Sequence, residues 1–458
     1  MTNNTCYLLL GQSEALLHMD LIPQSISPFK LLIEMHGLKP YPHQILGVKW
    51  MYDRETNAAH YLNSDLKGRG GIIALQMGYG KTLMLISIIL CNLKPTMKTL
   101  IIVPTVLIRQ TEQYIITMLK YKPIVYYDAE TRNKYNTPSD IQSYIVITTL
   151  GIINSDAKRK GLLSKIKWTR VIVDEAHHVR NSKTVSFENV NRLQRTYTWL
   201  LTGTPICNSM TDLHSLIYLV NQRVDPTMFR KFSLRQLVKK MVWRTNAASV
   251  IPLPTVVSSN VVVEWKCKKE YKLAKSAFID RHKLAIQTIG LSRKLCCLIE
   301  NKLNAIMSLI IQNMGNGRGK LVFCQYTNEI SILQTRLCNL HISVGVINGS
   351  TREIQRRKIL EDKPDIIIMQ IQVGCEGLNL QDKYSEVYFT TPQWNPTLEQ
   401  QAIARCARIG QSEKEVNVFH FQMDGFHQSN DCKMSGIEEY IKHVQCRKNE
   451  LYSIWGAP

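Results

Sequence analysis

Short apolar runs rich in Ile, Val and Leu, separated by helix-length stretches, recur along this 458-residue chain. They lie at Gly71–Gln76, Leu100–Pro104, Ile145–Thr149, Val171–Glu175 and Trp199–Thr202, and again at Leu321–Gln325, Ile366–Gln370 and Val387–Thr390. The runs stay apolar instead of alternating with polar residues, as strands covered on both faces do. Such strands interleaved with helices predict parallel α/β sheets. Between the two groups, residues 264–313 are helix-prone and rich in Lys, Leu and Ala. The glycine cluster Asn313–Lys320 follows and reads as a flexible joint. The expected division is an N-terminal extension (1–37), a first lobe (38–255), a helical connector (256–318), a second lobe (319–448) and a tail (449–458).

Charge adds a second constraint. The chain carries 57 Lys+Arg against 36 Asp+Glu, a net +21. An excess of that size favours a polyanionic partner, of which nucleic acid is the commonest. No block of five like charges occurs, so the basicity is spread over the folded body. The 12 cysteines stand singly apart from Cys296–Cys297, and none forms a CxxC pair. That spacing argues against a zinc site or disulfide framework and for small apolar residues in a reducing compartment. Residues 1–20 lack a positive start and carry Glu14 and His18, which makes a poor signal peptide. No uncharged and predominantly apolar run reaches the ~20 residues needed to cross a bilayer. These features lead to the expectation of a soluble intracellular protein.

The first strand runs into Met77-Gly78-Tyr79-Gly80-Lys81-Thr82 and then a helical run, Leu83–Leu93. Strand, glycine turn and helix in that order present backbone N–H groups and a helix N-terminus to a phosphate. The glycines permit φ > 0 and close approach of the backbone. Lys81 is placed to neutralise β- and γ-phosphates and the Thr82 hydroxyl to hold Mg2+. The full GxxxxGK[ST] pattern would need glycine where this chain has Leu75. About ninety residues on, Val171-Ile-Val-Asp-Glu-Ala-His177 brings Asp174 and Glu175 to the tip of a strand. At the same sheet edge as the glycine turn, Asp174 can support the magnesium and Glu175 can polarise an attacking water.

Asp-Glu-Ala-His followed by Leu201-Thr-Gly-Thr-Pro205 resembles helicase superfamily two, specifically the Swi/Snf-type translocases, over nearly the whole chain. That resemblance implies two RecA-like lobes joined by a helical connector. Leu38-Lys-Pro-Tyr-Pro-His-Gln44 is similar to the family's adenine-reading segment, which makes Gln44 the reader. Thr202, Gly203 and Thr204 resemble the segment that couples hydrolysis to lobe movement, with Cys207 where the family has Gln. Val373-Gly-Cys-Glu-Gly-Leu-Asn-Leu-Gln381 resembles the fifth motif, departing at Cys375 and Glu376, with Gly377 in a coupling role. Gln393-Trp-Asn-Pro396 and Glu399–Gln411 resemble the sixth. Within it Arg405 and Arg408, expected three apart on one helix face, take the arginine-finger role when the lobes close on ATP. The family's Asp and His before them are Ala404 and Ala407 here. Gly436–Lys442 resembles the closing helix that braces the motor.

The resemblance therefore implies an ATP- and Mg2+-dependent motor on double-stranded DNA, with chromatin or transcription proteins as further partners. The Asp-Glu-Ala-His-His-Val-Arg-Asn form, together with compact size, resembles the baculovirus global transactivators and implies action in a host nucleus. A strand-separating DNA or RNA helicase, and a non-catalytic transcription partner on the same fold, remain the alternatives. Loss of Lys81, Glu175 or Arg408 would have favoured the last, and all three are present.

Overall fold

A computed structural model describes residues 26–38, 40–56, 70–75, 78–94, 96–159, 161–206, 209–222, 234–244, 253–279, 287–374, 378–427, 433–434 and 436–456. Met77 and Gly377, both expected at the site, lie outside the described residues. The chain divides into two compact units, Met1–Ile251 and Pro252–Pro458.

The first unit is built on β1 (Gly70–Ala74), β2 (Thr99–Ile102), β3 (Ile124–Val125), β4 (Ile145–Thr148), β5 (Trp168–Val173), β6 (Arg195–Thr202) and β7 (Val242–Trp243). Their order is β3-β4-β2-β5-β6-β1-β7, every pairing parallel. All four residues of β2 and of β4 are buried, as their composition, apolar except for one terminal Thr in each, requires. The helix Pro42–Thr56 is tied to this sheet at its C-terminal end. Arg170 Nε and Nη2 donate to the two Glu55 oxygens, each at 2.6 Å. Asn92 Nδ2 and Trp199 Nε1 complete the carboxylate at 2.7 and 2.8 Å. A buried ion pair holds only when its remaining hydrogen-bonding capacity is filled, and here it is.

The second unit contains β8 (Thr255–Val263), β9 (Gly319–Cys324), β10 (Val344–Ile347), β11 (Ile366–Gln370), β12 (Tyr384–Phe389) and β13 (Glu415–Met423). They order as β10-β11-β9-β12-β13-β8, again all parallel. A short antiparallel pair, β14 (Phe426–His427) and β15 (Lys433–Met434), follows.

The region expected as a connector differs from that expectation. It opens on β8, which pairs along its whole length with β13. The helices Lys268–Ile279, Gln287–Cys297 and Glu300–Gln312 bury Ala274, Cys296, Leu303, Ile306 and Ile310 against Val322, Ile366, Ile368 and Tyr388. The odd-parity neighbours Leu321, Phe323, Ile367, Val387 and Phe389 point to the opposite face. These helices are therefore one covering layer of the second sheet. The glycine cluster is a tight turn within that unit. Asn316 Nδ2 donates to Glu386 Oε1 at 2.6 Å, and Gly319 and Lys320 are already in β9.

Candidate nucleotide site

The C-terminal tips of β1, β6 and β5 are consecutive in the first sheet, with Ala74 beside Thr202 and Val173 beside Leu200. Two strand spacings of ~4.8 Å separate the outer tips by about 10 Å. Sequence segments nearly a hundred residues apart therefore share one sheet edge.

At the β1 tip, Gly78 and Gly80 adopt φ of +85° and +81°. A Cβ on Gly80 would also stand 2.2 Å from Gln44 Nε2, so any other residue there is strained in its backbone and must also displace the Gln44 amide. Lys81 opens the helix Lys81–Cys91, is buried, and donates from Nζ to the Leu75 carbonyl at 3.0 Å. Thr82 in the same turn is exposed. The first N–H groups of this helix have no intrahelical acceptor and carry the positive end of its dipole. The turn is thus suited to a phosphate.

Gln44 lies over this turn. Its Oε1 accepts from Tyr41 N at 3.1 Å and its Nε2 donates to Tyr79 O at 3.4 Å. His43 was not singled out from the sequence, yet its Nε2 lies 2.9 Å from the same carbonyl. A carbonyl only accepts, so Nε2 carries the proton. Burial pushes the imidazole below its ordinary pKa, partly opposed by that bond. The only sequence signal was adjacency to Gln44.

At the β5 tip, Asp174 N continues the ladder to Ile102 O at 2.9 Å. Glu175 then takes a left-handed φ of +48°, a conformation a glutamate holds only under tertiary constraint. The turn is fixed by Glu175 N donating to Asp174 Oδ1 at 2.9 Å. Glu175 Oε2 is 3.3 Å from His177 Nδ1, and Arg180 Nη1 donates to His177 O at 2.6 Å. On β6, between them, Thr202 is fully buried and its Oγ1 accepts from Thr204 N at 3.1 Å. Gly203 follows directly. Thr202–Thr204 thus lie between the glycine turn and the acidic turn.

The residues fit magnesium. Thr82 offers an exposed hydroxyl at one tip and Asp174 a carboxylate two strands away. Among the described residues no group of three or more His, Cys, Asp or Glu is placed to hold a metal. Mg2+ is commonly bound through one or two carboxylates, water and substrate phosphates.

In the second unit the arginine pair departs from expectation. The helix ends at Ile403, and residues 404–410 form turns, so Arg405 and Arg408 do not share a helix face. Arg405 is buried, with Nε donating to Gln401 O at 3.2 Å and Nη1 to Leu378 O at 3.4 Å. Arg408 is half-buried and donates from Nη1 to Asn379 Oδ1. Desolvation and the neighbouring Arg405 charge push the Arg408 pKa down. Leu378-Asn379-Leu380 therefore meets the turn carrying both arginines, with Leu380 N donating to Arg405 O at 3.1 Å.

Two family models match this chain, the SNF2-related domain over residues 43–309 and the helicase conserved C-terminal domain over 301–410. The first match spans more than half of the sequence, and the chain belongs to the SNF2-related family of helicase-like ATPases. An uncharacterized ATP-dependent helicase of Mycoplasma genitalium is 25% identical over 91% of this chain and 42% of its own length. A probable global transactivator of Orgyia pseudotsugata multicapsid polyhedrosis virus is 24% identical over 89% of each chain. The ATP-dependent DNA helicase DDM1 of Arabidopsis thaliana is 24% identical over 91% of this chain and 63% of its own. The chain spans less than half the length of the Mycoplasma relatives it matches. A solved Sulfolobus solfataricus SWI2/SNF2 ATPase core in complex with dsDNA matches 90% of this chain and 91% of that one, at 21% identity and TM-score 0.40. No helix among the described residues is long and apolar enough to cross a membrane.

Proposed function

We propose that this chain hydrolyses ATP when bound to nucleic acid and uses the cycle to translocate along double-stranded DNA, remodelling protein–DNA complexes. The observation that carries the reading is the gathering of Lys81, Thr202, Asp174 and Glu175 at three adjacent strand tips. Backbone N–H groups of the glycine turn and Lys81 bind and orient the triphosphate. Gln44, steadied against Tyr79, reads the adenine. Thr82 and Asp174 hold Mg2+, which when bound neutralises charge on the phosphate oxygens. Glu175 orients the attacking water and accepts its proton, and Thr202–Thr204 with Gly377 relay the change. Arg408, supported by Arg405, supplies the guanidinium that stabilises charge developing on the γ-phosphate.

The +21 charge favours phosphate contacts and sequence-tolerant binding. Likeness to a viral global transactivator over 89% of both chains supports a role in transcription within a nucleus. Comparing duplex DNA, single strands and RNA as activators of ATP hydrolysis tests the reading. Strongest activation by duplex DNA is expected. Activation by RNA or single strands alone would favour a strand-separating helicase, and no hydrolysis with any of them a non-catalytic partner.

A further inference from the structure

The loop Thr391–Asn395 leads into the helix Pro396–Ile403 and thence into the turn carrying Arg405 and Arg408. Side chains from elsewhere hold its polar atoms one after another. Thr391 Oγ1 donates to Glu438 Oε1 at 2.6 Å. Arg293 Nη2 donates to Pro392 O at 2.7 Å, and Lys448 Nζ to Trp394 O at 2.9 Å. Gln445 Nε2 donates to Gln393 O at 2.6 Å and to Glu399 Oε1 at 2.8 Å. Gln393 N donates to that same Glu399 oxygen at 2.8 Å.

Glu438, Gln445 and Lys448 all belong to the helix Ile437–Gly456 and, spaced seven and three apart, share one face. One helix thus grips three of the four residues 391–394. It is itself anchored in the unit, because Lys302 Nζ and Met423 N also donate to Glu438 at 2.5 and 2.6 Å. Gln445 differs from the other two because it closes a ring with Gln393 and Glu399. Glu399 is on the helix that ends at the arginine turn, and Gln401, two residues on, accepts from Arg405. Gln445 and Glu399 are both buried, so the bond is shielded from competing water.

We propose that Gln445 is a positioning residue that fixes the arginine turn through Glu399 and Gln393, so that the C-terminal helix controls turnover without touching nucleotide. This inference rests on the arginine role given above. It predicts that loss of the amide donor lets the helix Pro396–Ile403 shift and takes Arg408 off its working position, while ATP binding in the first unit is unaffected.

The test compares wild type, Gln445→Ala, Arg408→Ala and the double variant in the full chain. ATPase kcat and KM are measured with the nucleic acid that activates most, and thermal unfolding normalises each value to folded protein. His443→Ala, at an exposed position of the same helix, is the control and keeps wild-type turnover. Gln445→Ala is expected to lower kcat on the order of tenfold, part of the roughly hundredfold that a displacement of about 1 Å can cost. KM for ATP stays within about twofold, and the variant adds nothing further in the Arg408→Ala background. Gln445→Glu, which sets a second carboxylate beside Glu399, is expected to act at least as strongly. An equal kcat loss in both backgrounds would overturn the inference, as would unchanged kcat for Gln445→Ala while Arg408→Ala is impaired. Wild-type turnover by Arg408→Ala would instead remove the arginine role, and this inference with it.

Discussion

Gly80→Ala isolates the physics of the phosphate turn. At φ +81° an alanine sits in the left-handed region, which costs ~1–2 kcal/mol for an L side chain. Its Cβ would also fall 2.2 Å from Gln44 Nε2. Moving that amide breaks the bonds from Tyr41 N and to Tyr79 O, worth about 1 kcal/mol net. Together these give roughly 2–3 kcal/mol against the conformation that directs the N–H groups at phosphate. At 1.4 kcal/mol per decade, ATP affinity should fall on the order of 30- to 150-fold. Titration with a fluorescent ATP analogue measures this directly, alongside thermal unfolding, which should shift little because the turn lies outside the sheet core. Gln44→Ala should remove the steric part, so the double variant should fall short of additivity. Binding within about threefold of wild type would refute the argument, because that leaves under ~1 kcal/mol for strain and clash combined.

The remaining expectations concern chemistry and track. Lys81→Ala should weaken ATP binding, whereas Glu175→Gln should bind ATP yet turn over far more slowly; wild-type hydrolysis by Glu175→Gln would remove its assignment. Arg408→Ala should cut kcat by about 10²-fold or more with little effect on unfolding. Arg405→Ala should in addition destabilise the second unit by roughly 1–3 kcal/mol, since buried carbonyls of Gln401 and Leu378 lose their donor; calorimetry separates the two. DNA affinity should fall steeply with salt and vary little with sequence, as counterion release dictates. With ATP, the third strand of a triplex should be displaced while a forked duplex stays paired; efficient fork unwinding without triplex displacement would favour a strand-separating helicase.

Local information was enough for much of this molecule. Strands such as β2, β4 and β11 are apolar runs with a polar residue only at one end, because both faces are covered. The glycine turn and the Asp174-Glu175 pair were legible because phosphate chemistry demands particular residue types at adjacent positions. β8 was missed because Ser258, Ser259 and Asn260 interrupt its pattern, which an exposed edge strand tolerates. The helices before β9 read as a connector because composition cannot say which surface an apolar stripe covers. Only the sheet, presenting Val322 to one side and Leu321 to the other, assigns them to the second unit. The arginine spacing suggested a shared helix face, but the helix stops at Ile403 and Arg405 turns inward to the carbonyls of nearby Gln401 and of Leu378, 27 residues away. The grip of His43 and Gln44 on Tyr79 spans some 35 residues of sequence. Residue identity determines what a segment can form and which chemistry it can carry. Which partner it meets depends on contacts between residues remote in sequence, and those exist only once the sheets are assembled.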